Sequence, residues 1–277
     1  RRPIALNFWR APTNNDSAAG MERAHLPFKT AGLYATLRGV KAETDGTCAT
    51  LRAKYRLANG AKMNVTYTVT GDGRVEAALK WKDKPVKSVP EFGLMLTLPE
   101  ACHRAVYYGP GPGESYADFT QSARMGLFGF DTRTALQPYF TPQESGARIG
   151  VRAAAVTDDT GCGVWFSGEG FLLSALPYTP HEIENARHAY ELPPRTKTVV
   201  RCAKGQLGIG GDNTWGAVPH PEYRLRLEKG EVFRFAFGGM DSAGEAGAPA
   251  ESVQIGNAPA ESAQIGNAPA ESAQIGN

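Results

Sequence analysis

From residue 48 onward, hydrophobic and polar residues alternate with a period of two. Ala49, Leu51, Ala53, Tyr55 and Leu57 interleave with Thr50, Arg52, Lys54 and Arg56, which predicts a strand with one buried and one wet face. Asn59-Gly60 is a hairpin turn signal, and Met63, Val65, Tyr67 and Val69 then alternate with Asn64, Thr66 and Thr68 as the return strand. Gly71-Asp72-Gly73 turns the chain again into Val75, Ala77, Leu79 and Trp81. The segment reads as an antiparallel meander. Phe92, Leu94, Leu96 and Leu98 continue the alternation between Pro90 and Pro99. Tyr223, Leu225 and Leu227 predict a further strand, and after Lys229-Gly230 so do Phe233, Phe235 and Phe237.

Other stretches break the period. Asn7 to Asp16 mixes aromatic, cationic and amide groups around a proline and reads as an ordered loop; residues 26–40 are ambiguous. Between Gly109 and Asp118, glycine and proline interrupt nearly every step, which predicts an exposed loop carrying Glu114, Tyr116 and Asp118. Thr179-Pro-His-Glu182 has the pattern of a capping box with proline at the first helical position. It predicts one short helix, with Ile183, Ala186 and Tyr190 on one face, ending before Pro193-Pro194. From Ala248 a ten-residue unit, Ala-Pro-Ala-Glu-Ser-Val-Gln-Ile-Gly-Asn, occurs once and then twice more with Ala for Val. With one Ile per unit it cannot bury a face, so residues 241–277 are expected to be a disordered, low-complexity tail behind an all-β domain at 1–240.

Composition narrows the function classes. The 277 residues carry a formal net charge of +2 with dispersed Lys and Arg, which gives no footprint for nucleic acid and no basic membrane patch. No apolar run is long enough to span a membrane, and Arg1-Arg2-Pro3 leads into no signal-peptide-like stretch. The compartment is left open between bacterial cytoplasm and periplasm. Cys48, Cys102, Cys162 and Cys202 have no zinc-like spacing; free thiols are expected, with a disulfide left open.

The candidate chemistry centres on Gly208-Ile-Gly-Gly-Asp-Asn-Thr-Trp-Gly216. An indole offers a flat apolar face to the C–H groups of a sugar ring, and Asp212 and Asn213 beside it suit hydroxyls. A core plug is the competing reading of Trp215. Glu114, Asp118, Glu144, Asp212 and Glu222 are the acidic residues near suggestive loops, but they form no evident pair of the kind glycoside hydrolysis requires. His181 and His188 lie seven apart, on a similar face of the expected helix; either with Glu222 is the only candidate pair for an aldose-1-epimerase-like acid and base. No nucleophile elbow, phosphate loop or zinc-protease motif is present, and no metal site is expected.

Five stretches, in order, resemble the C-terminal domain of family 2 β-galactosidases, a separate small chain in two-subunit members. They are the 7–16 segment, Tyr108 to Asp118, Pro138-Tyr-Phe-Thr-Pro-Gln-Glu-Ser-Gly-Ala-Arg148, Tyr178-Thr with His188 and Glu191-Leu192, and Gly208 to Trp215. The resemblance implies an antiparallel, galactose-mutarotase-like supersandwich that completes the active site of a catalytic barrel acting on galactosides such as lactose. It gives Trp215, with Asp212 and Asn213, the sugar contact, and Arg10, Asn15, Asp16, Glu114, Tyr116 and Glu144 the rim or interface. The family's catalytic glutamates belong to the barrel, whose Asn-Glu signature has no counterpart here. Mg2+ and Na+, where used, would belong to that barrel, and the complete enzyme is expected to be oligomeric. Asn14, Ser115, Ser145 and Asn213 stand where the family often has Asp, Asn, Asn and Asp. The alternatives are a stand-alone epimerase-like enzyme or a carbohydrate-binding module.

Overall fold

The computed structural model describes residues 3–213 and 215–241; the repetitive tail lies outside them. Its elements in chain order are β1 (Ala5–Asn7), α1 (Asn14–Ala18), α2 (Met21–Ala24), α3 (Leu26–Lys29), β2 (Thr36–Thr44), β3 (Cys48–Arg56), β4 (Lys62–Thr70), β5 (Val75–Trp81), β6 (Glu91–Pro99), β7 (Arg104–Gly111), β8 (Arg124–Asp131), β9 (Arg148–Thr157), β10 (Gly163–Leu176), α4 (Pro180–Asn185), β11 (Lys197–Gln206) and β12 (Val232–Met240). Every strand pairing is antiparallel, as the meander pattern led one to expect. The inward faces read from the sequence meet across the sheet, with Met63 opposite Trp81, Val65 opposite Leu79 and Tyr67 opposite Ala77.

β10 joins the two halves of the sheet. Its first part, Gly163 to Ser167, pairs with β12, and its last part, Leu172 to Leu176, pairs with β11, while β9 runs along the other edge. The register shifts between Ser167 and Phe171, where Gly170 takes a φ of +79° that only glycine adopts without strain. One long strand thus feeds two diverging arms, β12-β5-β4-β3-β2 and β11-β6-β1. The core lies between them, with Phe8, Trp81, Phe92, Leu94, Tyr107, Phe171 and Phe235 fully or almost fully buried.

Several expectations are corrected. The 7–16 segment is not all loop: Asn7 ends β1, and Thr13 caps α1 through a reciprocal bond pair with Asp16. Among the described residues four short α-helices form rather than one, three of them in residues 14–29. Strand β7 runs into the glycine-proline stretch as far as Gly111. It can do so because pairing with β9 stops at Tyr108, so the missing N–H of Pro110 leaves no gap in that ladder. The capping box at Thr179 forms as expected, but α4 ends at Asn185 and Ala186 is already extended. His188 and Tyr190 therefore lie beyond the helix, and His181 and His188 do not share a helical face. Residues 223–227 form no strand, only a bridge from Leu227 to Val86, because β12 is already paired with β5 and β10 on its two edges. The expected buried face of 49–57 fades to Ala53 within β3, since β2 and β3 curl past the core and leave Leu51 exposed. The described cysteines are all free, Cys102 and Cys202 being buried.

His25, between α2 and α3, is buried with its ring nitrogens 3.0 Å from the Met21 carbonyl and 3.0 Å from the Ser88 hydroxyl. Burial holds its pKa below the ordinary value, and burial does the same to His181 on α4. A histidine that binds its proton less readily folded than unfolded contributes stability above its unfolded pKa, near 6.5, and loses it as pH falls. Thermal melts are therefore expected to shift downward as pH drops from about 7 to 5, with a shallower slope in His25→Gln. An equal slope in that variant would remove His25 from the account.

Candidate functional site

The loop after β11 is held from four sides. The Leu207 N–H donates to the Pro90 carbonyl at 3.0 Å and the Gly208 N–H to the Tyr223 carbonyl at 2.9 Å. The carboxylate of Asp118 accepts the N–H groups of Ile209 at 3.0 Å and Gly210 at 2.8 Å. Arg10 donates to the Gly208 carbonyl at 3.2 Å, and Asn15 donates to the Ile209 carbonyl at 3.2 Å. Position 208 has to be glycine for this contact: an added Cβ would sit 2.6 Å from an Asp118 oxygen. At the far end the Asn213 side-chain amide oxygen (Oδ1) accepts the Trp215 N–H at 2.8 Å, and Gly216 takes a φ of +106°. On that supported backbone the Trp215 side chain stands 91% exposed, so it is not a core plug. Asp212 pairs with His220 at 2.8 Å, and that hydrogen bond and charge raise the His220 pKa.

Beside the loop lies a cleft of about 400 Å³ lined by Thr13, Asn14, Asn15, Glu114, Tyr116, Tyr139, Gln143, Glu144 and Ile209. Four residues singled out from the sequence, Asn15, Glu114, Tyr116 and Glu144, thus come together from three segments well separated along the chain. Their polar groups are largely committed. Glu114 accepts the Tyr116 hydroxyl at 3.0 Å and the Gly146 N–H at 2.6 Å. Burial, reinforced by Glu144 and Glu114, pushes the Tyr116 pKa well above its ordinary value. Arg10 and Asp16 lie beneath as a buried ion pair at 2.5 Å, and Asp16 also accepts the Thr13 N–H at 2.7 Å. The departures at Ser115 and Ser145 are structurally absorbed: each buried hydroxyl accepts a backbone N–H, from Ile149 and Gln137, both at 3.1 Å. The backbone N–H of Asn14 donates to the Gln143 side chain at 2.8 Å.

Under the cleft sits a charged cluster that motif reading missed. Arg201 on β11 donates to Glu91 at 2.7 Å, to Glu144 at 2.5 Å and to Ser174 at 3.0 Å. Gln206 bonds both carboxylates, at 2.6 and 3.0 Å, and Asn7 donates to Glu91 at 2.5 Å. Burial works against the Arg201 charge, but Glu144 and Glu91 outweigh it and raise its pKa. Burial is also what raises the Glu91 pKa, despite Arg201. The available signal was Arg201 itself, a charge inside the apolar run Val199 to Ala203.

A larger depression of about 590 Å³ opens where β10 changes partner, lined in part by Arg74, Glu169, Lys204, Phe233 and Arg234, but it holds none of the motif residues. The proposed histidine–glutamate pairing is not formed: Glu222 lies 3.8 Å from His220, and His181 lies 3.9 Å from Glu184. Among the described residues no group of three His, Cys, Asp or Glu side chains could hold a metal ion, and no helix is long and apolar enough to cross a membrane.

Residues 2–238 match the family model described as "Beta galactosidase small chain". A β-galactosidase of Lactobacillus delbrueckii subsp. bulgaricus is 36% identical over 84% of this chain and 23% of its own length. The β-galactosidase small subunit of Latilactobacillus sakei is 29% identical over 62% of this chain and 58% of its own. The chain therefore spans about a quarter of the full-length β-galactosidase it matches and rather more than half of the small subunit. Among solved structures, a GalM/aldose epimerase homologue from C. elegans aligns with a TM-score of 0.39 at 11% identity, over 77% of this chain and 70% of the other. A family match running from the first strand to the last, over the segments that build the loop and its cleft, shows that this chain belongs to the β-galactosidase small-chain family.

Proposed function

We propose that this chain forms a non-catalytic wall of a β-galactosidase active site, with Trp215 as a platform for the sugar, and that the acid and nucleophile glutamates come from a catalytic barrel, fused or separate. The observation that carries the reading is the Trp215 loop. An indole 91% exposed, on a loop whose first residues are held by Asp118, Arg10 and Asn15, offers an outward-facing half of a binding site. The carboxylates near it favour a supporting role. Hydrolysis of a glycoside requires two carboxyl groups free to protonate the leaving oxygen and to attack or activate water. Here Glu114 is occupied by Tyr116 and Gly146, and the Glu144 side chain is buried against Arg201. Substrate specificity for terminal β-D-galactosides such as lactose belongs to this proposal, as does the partnership itself.

In the assembled enzyme, Trp215→Ala is expected to lower kcat/KM for lactose about tenfold, chiefly through KM, by removing one aromatic contact made in both ground and transition states. The melting temperature of the chain should be nearly unchanged, since an exposed side chain contributes little to stability. Unaltered kinetics would remove Trp215 from the site. The isolated chain is expected to release no galactose from lactose, and unaided cleavage would end the reading.

A further inference from the structure

Phe140 and Tyr190 are 85% and 83% exposed, yet their rings are ordered by a common neighbour. His188 meets Phe140 edge-on, with centroids 5.3 Å apart and planes at 86°, and stacks on Tyr190 at 5.3 Å and 18°. The backbone beneath is secured as well. The Glu191 carboxylate accepts the N–H groups of Arg187 at 2.7 Å and His188 at 3.4 Å, and on the other side the Gln137 N–H donates to the Ser145 hydroxyl at 3.1 Å. Three aromatic rings standing in a row on a fixed backbone lose little further freedom on binding, and exposed aromatic clusters of this kind mark interaction surfaces.

The row is continuous with the cleft, because Tyr139, next to Phe140, lines it. Of the polar groups on these segments, the Glu191 Oε2 already accepts two backbone amides and the buried Ser145 hydroxyl one. A protein surface is the better match. This chain matches 23% of the length of a full-length β-galactosidase relative, so in such an enzyme most of the polypeptide lies outside this domain and needs a surface of it to rest on. We infer that the Phe140–His188–Tyr190 row is the anchor on which the large catalytic portion of a β-galactosidase docks, receiving the two outer rings in an apolar recess. This rests on the function proposed above, but assigns the contact to residues distinct from Trp215.

Covalent footprinting with mass spectrometry tests it directly, by comparing labelling of Phe140 and Tyr190 in this chain alone and in the presence of the catalytic portion from the same source, added separately or fused. Labelling of both rings is expected to fall on assembly; unchanged labelling overturns the inference. So does protection of the rings by lactose alone, which would assign them to sugar. The Phe140→Ser/Tyr190→Ser double variant, with folding checked by its melting curve, is expected to weaken association about thirtyfold, the scale of losing aromatic anchors, while Trp215→Ala leaves association unchanged. Association of the double variant at wild-type affinity overturns the docking role and leaves the proposed function standing. Failure of the unmodified chain to associate with the catalytic portion overturns both.

Discussion

Arg201→Met is expected to destabilise the chain by about 3–5 kcal/mol, a drop in melting temperature on the order of 10 °C for a domain of this size. The guanidinium is 2% exposed and holds Glu91 and Glu144, both with wholly buried side chains, on two different nitrogens. Removing the cation leaves two carboxylates in one dry site with only neutral donors, Gln206 and Asn7, and the cost is that of an uncompensated buried charge. The pH dependence has a definite sign. Burial already raises the Glu91 pKa, so Glu91 takes a proton more readily folded than unfolded, and the folded state is favoured as pH falls. The penalty in Arg201→Met should therefore shrink on acidification and be largest above neutrality. Arg201→Lys keeps the charge without the two-pronged geometry and should fall between. Denaturant melts at two pH values test this; a loss below 1 kcal/mol at pH 8 would show that the cluster does not depend on the arginine.

Phe8→Ala is expected to cost a further, independent 3–5 kcal/mol or so. Phe8 fills the core between arms of the sheet, its ring 5.7 Å from Phe92, 6.2 Å from Trp81 and 6.4 Å from Phe28. The cavity left behind would be lined by rigid aromatic rings that cannot collapse into it. Phe8 also anchors the chain two residues before Arg10, which holds Asp16 and the Gly208 carbonyl. Amide hydrogen exchange should therefore quicken in α1 and in the Trp215 loop as well as around the cavity. A variant that lost stability without any change in these two segments would separate the core from the site. Phe8→Leu, which restores most of the volume, should recover more than half of the loss.

Much of the architecture was legible in the residues. The inward positions of β4 and β5 were readable because pleating puts every second side chain on the same face, and Thr179 announced α4 because a hydroxyl and a carboxylate three residues apart satisfy each other's backbone amides. The same logic underlies the missed α1. Thr13 and Asp16 make a capping box with Asp in place of the usual Glu, surrounded by too few apolar residues to reveal a helical period. The false strand at 223–227 has the opposite cause: its alternation is real, but both edges of β12, the strand that follows it, are already taken by β10 and β5.

At the site, the structure brings Asn15, Glu114, Tyr116 and Glu144, which the resemblance had assigned to a rim or interface, to one cleft. The motifs could not distinguish a group facing solvent from one locked underneath. Arg10 and Asp16 were expected at the rim and instead form the buried support beneath it. Asp118 passed as one acidic residue among several, although its carboxylate organises the Trp215 loop across 91 residues of chain.

The sequence by itself determined the antiparallel all-β class, the positions of β3 to β6 and β12 and the family, because these follow from local periodicity and from the order of motifs. Tertiary structure alone decided that Trp215 faces outward, that Glu144 belongs to an ion cluster with Arg201, and that Phe140, His188 and Tyr190 form one row. Those outcomes depend on which segments the two arms leaving β10 bring together. Contacts between residues tens to more than a hundred positions apart leave no periodic trace along the chain.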